Sequence, residues 1–376
     1  MLKTYQPYGT TQTNWATQTS DTILTRKPDI NPIRKWEYED GLVMTGIYQV
    51  YQETKDPKYL EYLRYNMDLF VDGTGNIANY FYDEFNLDHV NNGKVLLDLY
   101  EETGDIRYKK AADKLYQQLL HQPRTSEGTF WHKNIYPYQI WLDGLYMGSV
   151  FYGRYKNLFE PTDFEDVVHQ FLNAYDNTLD VTTGLCFHAY DEKRVQNWAN
   201  KTTGHSPHIW VRALGWYVMS IVDVYEYIPD ETPGKEQMMT NLLHLMEAIQ
   251  NYADPETNLW YQIVDQGDRP GNYLESSGSF MILTTIAKGI RKGYFDEAYW
   301  GPILEKGYKN GLEQFITITN DQLVNVNKMC HVAGLGGIGN RDGSFAYYMS
   351  EPIVANDHKG VGPFILASLE MNKRQK

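Results

Sequence analysis

YQETKDPKY at 51–59 returns as YEETGDIRY at 100–108, 49 residues later, with five of nine positions unchanged. Each block reads as the end of one amphipathic helix, a tight turn, and the start of the next. Gly104 suits the residue that closes a helix and Asp105 the residue that caps the following one. The helix after it, 107–121, carries Ala111, Leu115, Leu119 and Leu120 at helical spacing. A period of this length marks a repeat architecture of helical hairpins.

A second element recurs between the hairpins: a Gly or Asn turn flanked by short aromatic runs. It is GTGNIANYFYDEF at 73–85, SEGTFWHKN at 126–134, TTGLCFHAYDE at 182–192 and ETNLWYQIVDQ at 256–266, with a weaker copy, NDQLVNVNKM, at 320–329. These read as short hairpin-like or extended loops. Each precedes a further helix, and such helices begin near Gly41, Asp88, Trp141, Trp210, Ser276 and Gly360, the first without an upstream copy of the loop. Six of them alternating with six others predict an all-α fold, an (α/α)6 barrel of six hairpins with short extended loops at one mouth. The reading is one domain over 1–376, its N-terminal thirty or so residues peripheral; two separate helical domains are the alternative. HVAGLGGIGNRDGSF at 331–345 reads as a mobile glycine-rich loop.

Composition narrows the function. Lys and Arg number 34 against 48 Asp and Glu, a net charge of −14. Nucleic acid and anionic membrane surfaces call for a basic footprint, so neither is an expected partner. The N-terminus lacks an apolar secretory core, and no run approaches the roughly 20 apolar residues of a membrane span. Two cysteines make no disulfide scaffold, which points to a reducing, cytoplasmic setting. The 31 tyrosines outnumber the 30 glycines. Many serve the core, but amphipathic rings also line wet clefts on which sugars stack.

Several residues gather at the mouth on the repeat argument. Asp143, in YPYQIWLDGLYMG at 136–148, is an acid wedged among Trp141, Leu142, Leu145, Tyr146 and Met147. Apolar neighbours favour the protonated form that a general acid needs; a helix N-cap is the plainer role. Asp88 sits at the equivalent place one repeat earlier. His132, Lys133 and His188 fall at matching places in two copies of the loop. Trp210, Arg212 and Trp216 form one early-helix cluster, with an Arg able to grip a carboxylate and Trp faces able to stack. No metal-ligand spacing, P-loop or GxSxG occurs, so neither a metal nor a cofactor is expected.

WHKNIYPYQIWLDGLYMG at 131–148 resembles the signature of the unsaturated rhamnogalacturonyl hydrolases, glycoside hydrolase family 105. SPHIWVRALGWYVMS at 206–220, NLWYQIVD at 258–265 and NYLESSGS at 272–279 fit it in order, and the resemblance runs from about Trp36 to Leu369. It implies a metal-independent exo-acting enzyme that hydrates the C4=C5 bond of a terminal unsaturated uronic acid. By resemblance the catalytic acid falls on Asp143 and a second aspartate on Asp88, with Tyr38, His132, Lys133, His188, Trp210, Arg212 and Trp216 around the sugar. WEYEDG at 36–41 and the stretch 331–345 depart from the pattern on the leaving-sugar side. An unsaturated glucuronyl hydrolase, a conventional inverting glycosidase and a non-catalytic sugar-binding protein remain as alternatives.

Overall fold

The two copies of the repeat fold as the same turn. Asp56 and Asp105 each accept from the backbone N–H two residues on, Lys58 at 3.1 Å and Arg107 at 3.0 Å. Lys55 adopts the left-handed backbone (φ 53°) that Gly104 adopts one repeat later (φ 68°). The turn geometry thus survives where the glycine does not. The computed structural model describes residues 6–7, 14–337, 339 and 341–374; residues 338 and 340 of the glycine-rich loop and most of the first thirteen residues lie outside the described residues.

Helices α1 (Trp15–Arg26), α2 (Tyr38–Thr54), α3 (Pro57–Asp68), the short α4 (Leu87–Val90), α5 (Gly93–Thr103) and α6 (Ile106–His121) fill the first third. Then follow a π-helical turn (Leu145–Ser149) continuing into α7 (Val150–Phe159), α8 (Glu165–Thr178), α9 (Val211–Val224) and α10 (Lys235–Asn251). Last come α11 (Ser276–Arg291), α12 (Glu297–Phe315), the short α13 (Phe345–Ser350) and α14 (His358–Arg374). Helices α2, α5, α7, α9, α11 and α14 pack one against the next, and α14 returns to α2, so the inner ring closes. Helices α3, α6, α8, α10, α12 and α1 lie outside it. This is the (α/α)6 barrel. Four inner helices start within three residues of where the sequence places them; α5 starts at Gly93 rather than Asp88, after the separate α4, and the π turn leading into α7 starts at Leu145 rather than Trp141, which lies in a short strand.

The first thirty residues are less peripheral than expected. Helix α1 packs against α14 and supplies the sixth outer helix, with Trp15 and Ala16 fully buried. Its remaining buried face is Thr19, Ser20, Thr22 and Ile23, too polar to register as an apolar stripe.

The long connections all emerge at one mouth. Five begin with the same hairpin, closed by a residue with left-handed backbone: Gly75, Gly128, Gly184, Asn258 and Gln322. Gln322 explains why the last copy is faint in sequence. Short antiparallel pairs then tie two neighbouring loops to each other and the last connection to itself. β1 (Gln139–Trp141) pairs with β2 (Ala189–Asp191), Gln139 opposite Asp191, and Met329–Cys330 pairs with Ile353–Val354. Among the described residues no helix is long and apolar enough to cross a membrane.

Candidate active site

The inner helices point their N-termini at this mouth, and a cavity of about 270 Å³ opens there. Tyr38, Asp88, His132, Lys133, Asp143, Trp210 and Arg212 line it. Seven of the nine residues singled out from the sequence therefore share one cavity.

Asp88 lies in the first turn of α4, whose N-cap Asn86 accepts from the Asp88 N–H at 3.0 Å. Its carboxylate meets Lys133 Nζ at 2.6 Å and His132 Nε2 at 3.2 Å. Burial pushes the Asp88 carboxyl up, but Lys133 and His132 outweigh it and hold the group well below the usual carboxylate range. Lys133 is drawn the other way: burial disfavours its charge, and Asp88 restores it and raises it above an ordinary lysine. Asp88 is a fixed anion.

His132 stacks on Trp141 (5.0 Å, 2° between planes), and Trp141 stacks on Tyr136 (4.8 Å, 9°). This slab of three rings forms one wall. Asp143 follows two residues after Trp141. No backbone N–H among the described residues donates to it, so it is not the N-cap the plainer reading offered. The next residue must be small, because a Cβ on Gly144 would come within 3.0 Å of both His132 and Leu87. The π turn over 145–149 then widens the helix beneath it, a distortion frequent at functional sites.

Arg212 is almost wholly buried beneath the cavity, its guanidinium 4.5 Å from the Trp210 ring. It donates to the carbonyls of Cys330 (2.5 Å) and His331 (3.2 Å) and to Ser277 Oγ (3.3 Å), which itself donates to Glu275. Its nearest carboxylate is thus one hydroxyl away.

Two expected sugar contacts are corrected. Trp216 is 1 % exposed and packed between Tyr146 (4.7 Å) and Tyr38 (6.3 Å), so it supports Tyr38 and offers no face to a sugar. His188 is fully buried behind Asp143, its Nε2 3.4 Å from Asp143 Oδ2 and its Nδ1 2.8 Å from the Tyr348 hydroxyl. Other residues were missed. Tyr136 and Trp141 stood inside the quoted motif and could have been read from it. Arg341 donates to Gly336 O (2.9 Å) and to the Tyr136 hydroxyl (3.3 Å), and with Val332, Ala333 and Gly334 it makes the opposite wall. Thus the glycine-rich segment is part of the cavity lining. Among the described residues no group of His, Cys, Asp and Glu is placed to hold a metal ion.

The family model of Glycosyl Hydrolase Family 88 matches residues 12–375. A glycoside hydrolase from family 105 of C. acetobutylicum ATCC 824 is 46 % identical, with a TM-score of 0.94 over 96 % of this chain and 100 % of that one. The unsaturated rhamnogalacturonyl hydrolase YesR of Bacillus subtilis (strain 168) is 29 % identical over 260 residues, 67 % of this chain and 70 % of YesR. An unsaturated glucuronyl hydrolase of Bacillus sp. GL1, described as responsible for the degradation of glycosaminoglycan, shares the fold at 11 % identity and a TM-score of 0.69 over 96 % of each chain.

Proposed function

The chain belongs to glycosyl hydrolase families 88 and 105, the unsaturated uronyl hydrolases, and on that premise we propose that its substrate is an unsaturated galacturonic acid linked to rhamnose. Such disaccharides are left when a lyase cuts the rhamnogalacturonan of pectin. The protein is a glycoside hydrolase; the sugar pair and the role of each residue are our reading. The likeness to YesR over most of both chains supports the sugar pair.

One observation carries the mechanism. Four carboxylates line the cavity, and three are paired with lysine: Glu37 with Lys35, Glu39 with Lys359, and Asp88 with Lys133. Asp143 alone has no lysine or arginine partner among the described residues. A conventional glycosidase uses two carboxylates that both take part in proton transfer or nucleophilic attack. Here one carboxylate is free to carry a proton, and an enol ether needs only one. Asp143 protonates C4, and the cation that develops at C5 is stabilised by the ring oxygen. Water adds at C5 and returns a proton to Asp143. The hemiketal opens to a ketone at C5, the ring oxygen becomes the hydroxyl of a hemiacetal at C1, and that centre collapses to an aldehyde as the leaving sugar departs as an alcohol.

The other residues hold the substrate still. Arg212 and the converging N-termini of the inner helices favour an anion, which suits the uronate. Trp210, Trp141, Tyr136 and Tyr38 line the cavity around the ring. Asp88 fixes Lys133 and His132 and accepts from a sugar hydroxyl or the attacking water. No step requires a metal or cofactor. The free, buried thiols of Cys186 and Cys330 support a cytoplasmic setting.

Unsaturated galacturonyl-rhamnose should lose its ultraviolet absorbance in step with rhamnose release, and heavy water should leave deuterium at C4. Saturated galacturonyl-rhamnose should be inert. Comparable cleavage of the saturated compound would replace hydration with an ordinary glycosidase mechanism. Turnover of unsaturated glucuronyl disaccharides alone would keep the chemistry and change only the leaving sugar.

A further inference from the structure

Three buried groups stand in line behind the cavity. The Tyr348 hydroxyl lies 2.8 Å from His188 Nδ1, and His188 Nε2 lies 3.4 Å from Asp143 Oδ2. Tyr348 and His188 are both completely buried. The imidazole is held between Trp210 (4.7 Å) and the edge of Trp141 (5.3 Å), so its plane is set by packing. Oδ2 of Asp143 is shut off from solvent and has no hydrogen-bond partner closer than His188. The side chain nevertheless lines the cavity, so Oδ1 is the oxygen that faces it.

We propose that Tyr348 is a positioning residue: its phenol donates to Nδ1 of His188, holds the imidazole as the tautomer protonated on Nε2, and so reserves Oδ2 of Asp143 as an acceptor. The proton that Asp143 delivers then resides on Oδ1, toward the substrate. The argument rests on the role given to Asp143 above. A neutral imidazole has one donor and one acceptor nitrogen, and the partner of one fixes the other. Without a donor at Nδ1, the ring is free to carry its proton there. Its Nε2 lone pair would then face Oδ2 and draw the carboxyl proton onto the oxygen turned away from the cavity. Burial pushes the Tyr348 phenol well above its ordinary value, with the charges at Tyr347 and Asp143 adding to it, so the group remains a donor throughout the working pH range. The 3.4 Å gap is longer than a formed hydrogen bond, as catalytic contacts often are before substrate closes on them.

Tyr348→Phe removes the donor and keeps the ring. The expected result is a kcat lower by about tenfold, the scale of one lost hydrogen bond, with KM within about twofold. Nitrogen-15 spectra of labelled histidine should show His188 protonated on Nε2 in the wild type and shifted toward Nδ1 in Tyr348→Phe. Unchanged kcat, or a loss confined to KM, would overturn the proposal, as would a wild-type spectrum with the proton on Nδ1. The spectrum decides the matter even if the variant folds poorly. Asp143→Asn separates the two claims: an active Asp143→Asn enzyme defeats the role of Asp143 itself, whereas an inactive one beside a fully active Tyr348→Phe defeats only the positioning role of Tyr348.

Discussion

The barrel has a cavity at each end, and each measures about 270 Å³. The front one is walled by loops and by the first turns of the inner helices. The back one is walled by the later turns of those helices and holds Lys94, Asp98, Arg154, Asp223, Lys288 and Glu370 among its lining. Helix direction separates the two. Inner-helix N-termini carry partial positive charge to the front and C-termini carry partial negative charge to the back. The back accordingly holds more cations than acids, and its acids are paired: Asp98 with Arg154, Asp223 and Glu226 with Lys288, and Glu370 with Arg291. Cavities of equal size thus differ in how their acids are held. The front leaves Asp143 without a lysine or arginine partner among the described residues, as the proposed proton donor requires; the back pairs each of its carboxylates with a cation.

Asp143→Asn tests the front most severely. Removing a general acid costs about 10²–10⁴-fold in rate, and the expected variant is folded, binds substrate and scarcely turns it over. Circular dichroism with steady-state kinetics would show this; near-normal turnover would leave the two cavities without a functional contrast.

Arg154→Ala tests the back. Arg154 lies 2.6 Å from Asp98, which is 2 % exposed. Burial pushes the Asp98 carboxyl up to about 6 despite Arg154, so the pair is charged at neutral pH. Breaking a buried pair from one side costs about 3–5 kcal/mol. Denaturant unfolding should show that loss at pH 8 and a smaller one at pH 5, where Asp98 already holds a proton in the folded state. KM should not change. A large rise in KM would mean that the back mouth shapes the front.

Arg212→Ala falls between these in meaning and below them in size. Charge-assisted hydrogen bonds are worth about 1.5–3 kcal/mol, so kcat/KM should drop roughly ten- to hundred-fold through weaker binding of the uronate. Because Arg212 also ties down the carbonyls of Cys330 and His331, Arg212→Lys is the useful companion: it keeps the charge and loses the fork. If both variants bind substrate normally, Arg212 is a strut for the last loop.

What the sequence disclosed follows from the repeat. Asp88, Asp143, Trp210 and Arg212 stand just before or just inside an inner helix, and His132 and Lys133 in the recurring loop ahead of one, where the repeat brings the chain to the same mouth. Trp216 is four residues past Arg212, on the same face but about 6 Å further along the axis, and that one turn takes it out of the cavity. His132 and His188 each follow their hairpin by two residues, past the bridges at Phe130 and Cys186. Both are buried, but His132 lines the cavity and His188 does not, because Tyr348 packs against His188. Tyr348 and Arg341 belong to the longest connection, 316–357, much of which has no counterpart in other repeats; periodicity could not place them. Helix α1 escaped notice for the opposite reason, since its buried face is largely Thr and Ser.

Lys94 gives the smallest and most specific test of the contrast. It is 4 % exposed, donates to the Tyr146 carbonyl at 3.2 Å, and has no carboxylate within salt-bridge distance among the described residues. Burial pushes its amine down to about 7, and the charges of Asp223 and Asp98 only partly oppose that. In the unfolded chain the amine titrates near its ordinary value of 10.5. Between about pH 7 and 10.5 the unfolded state therefore holds a proton that the folded state lacks, so stability rises with pH across that window. Lys94→Met has no such group. The wild type should gain stability on the variant as pH rises from 7 to 9, whatever their order at pH 7, which depends also on the lost Tyr146 contact. Paired denaturant curves at several pH values would show the gap changing. Parallel curves would mean that Lys94 stays charged in the folded barrel, and that the back mouth supplies more negative potential than its paired carboxylates account for.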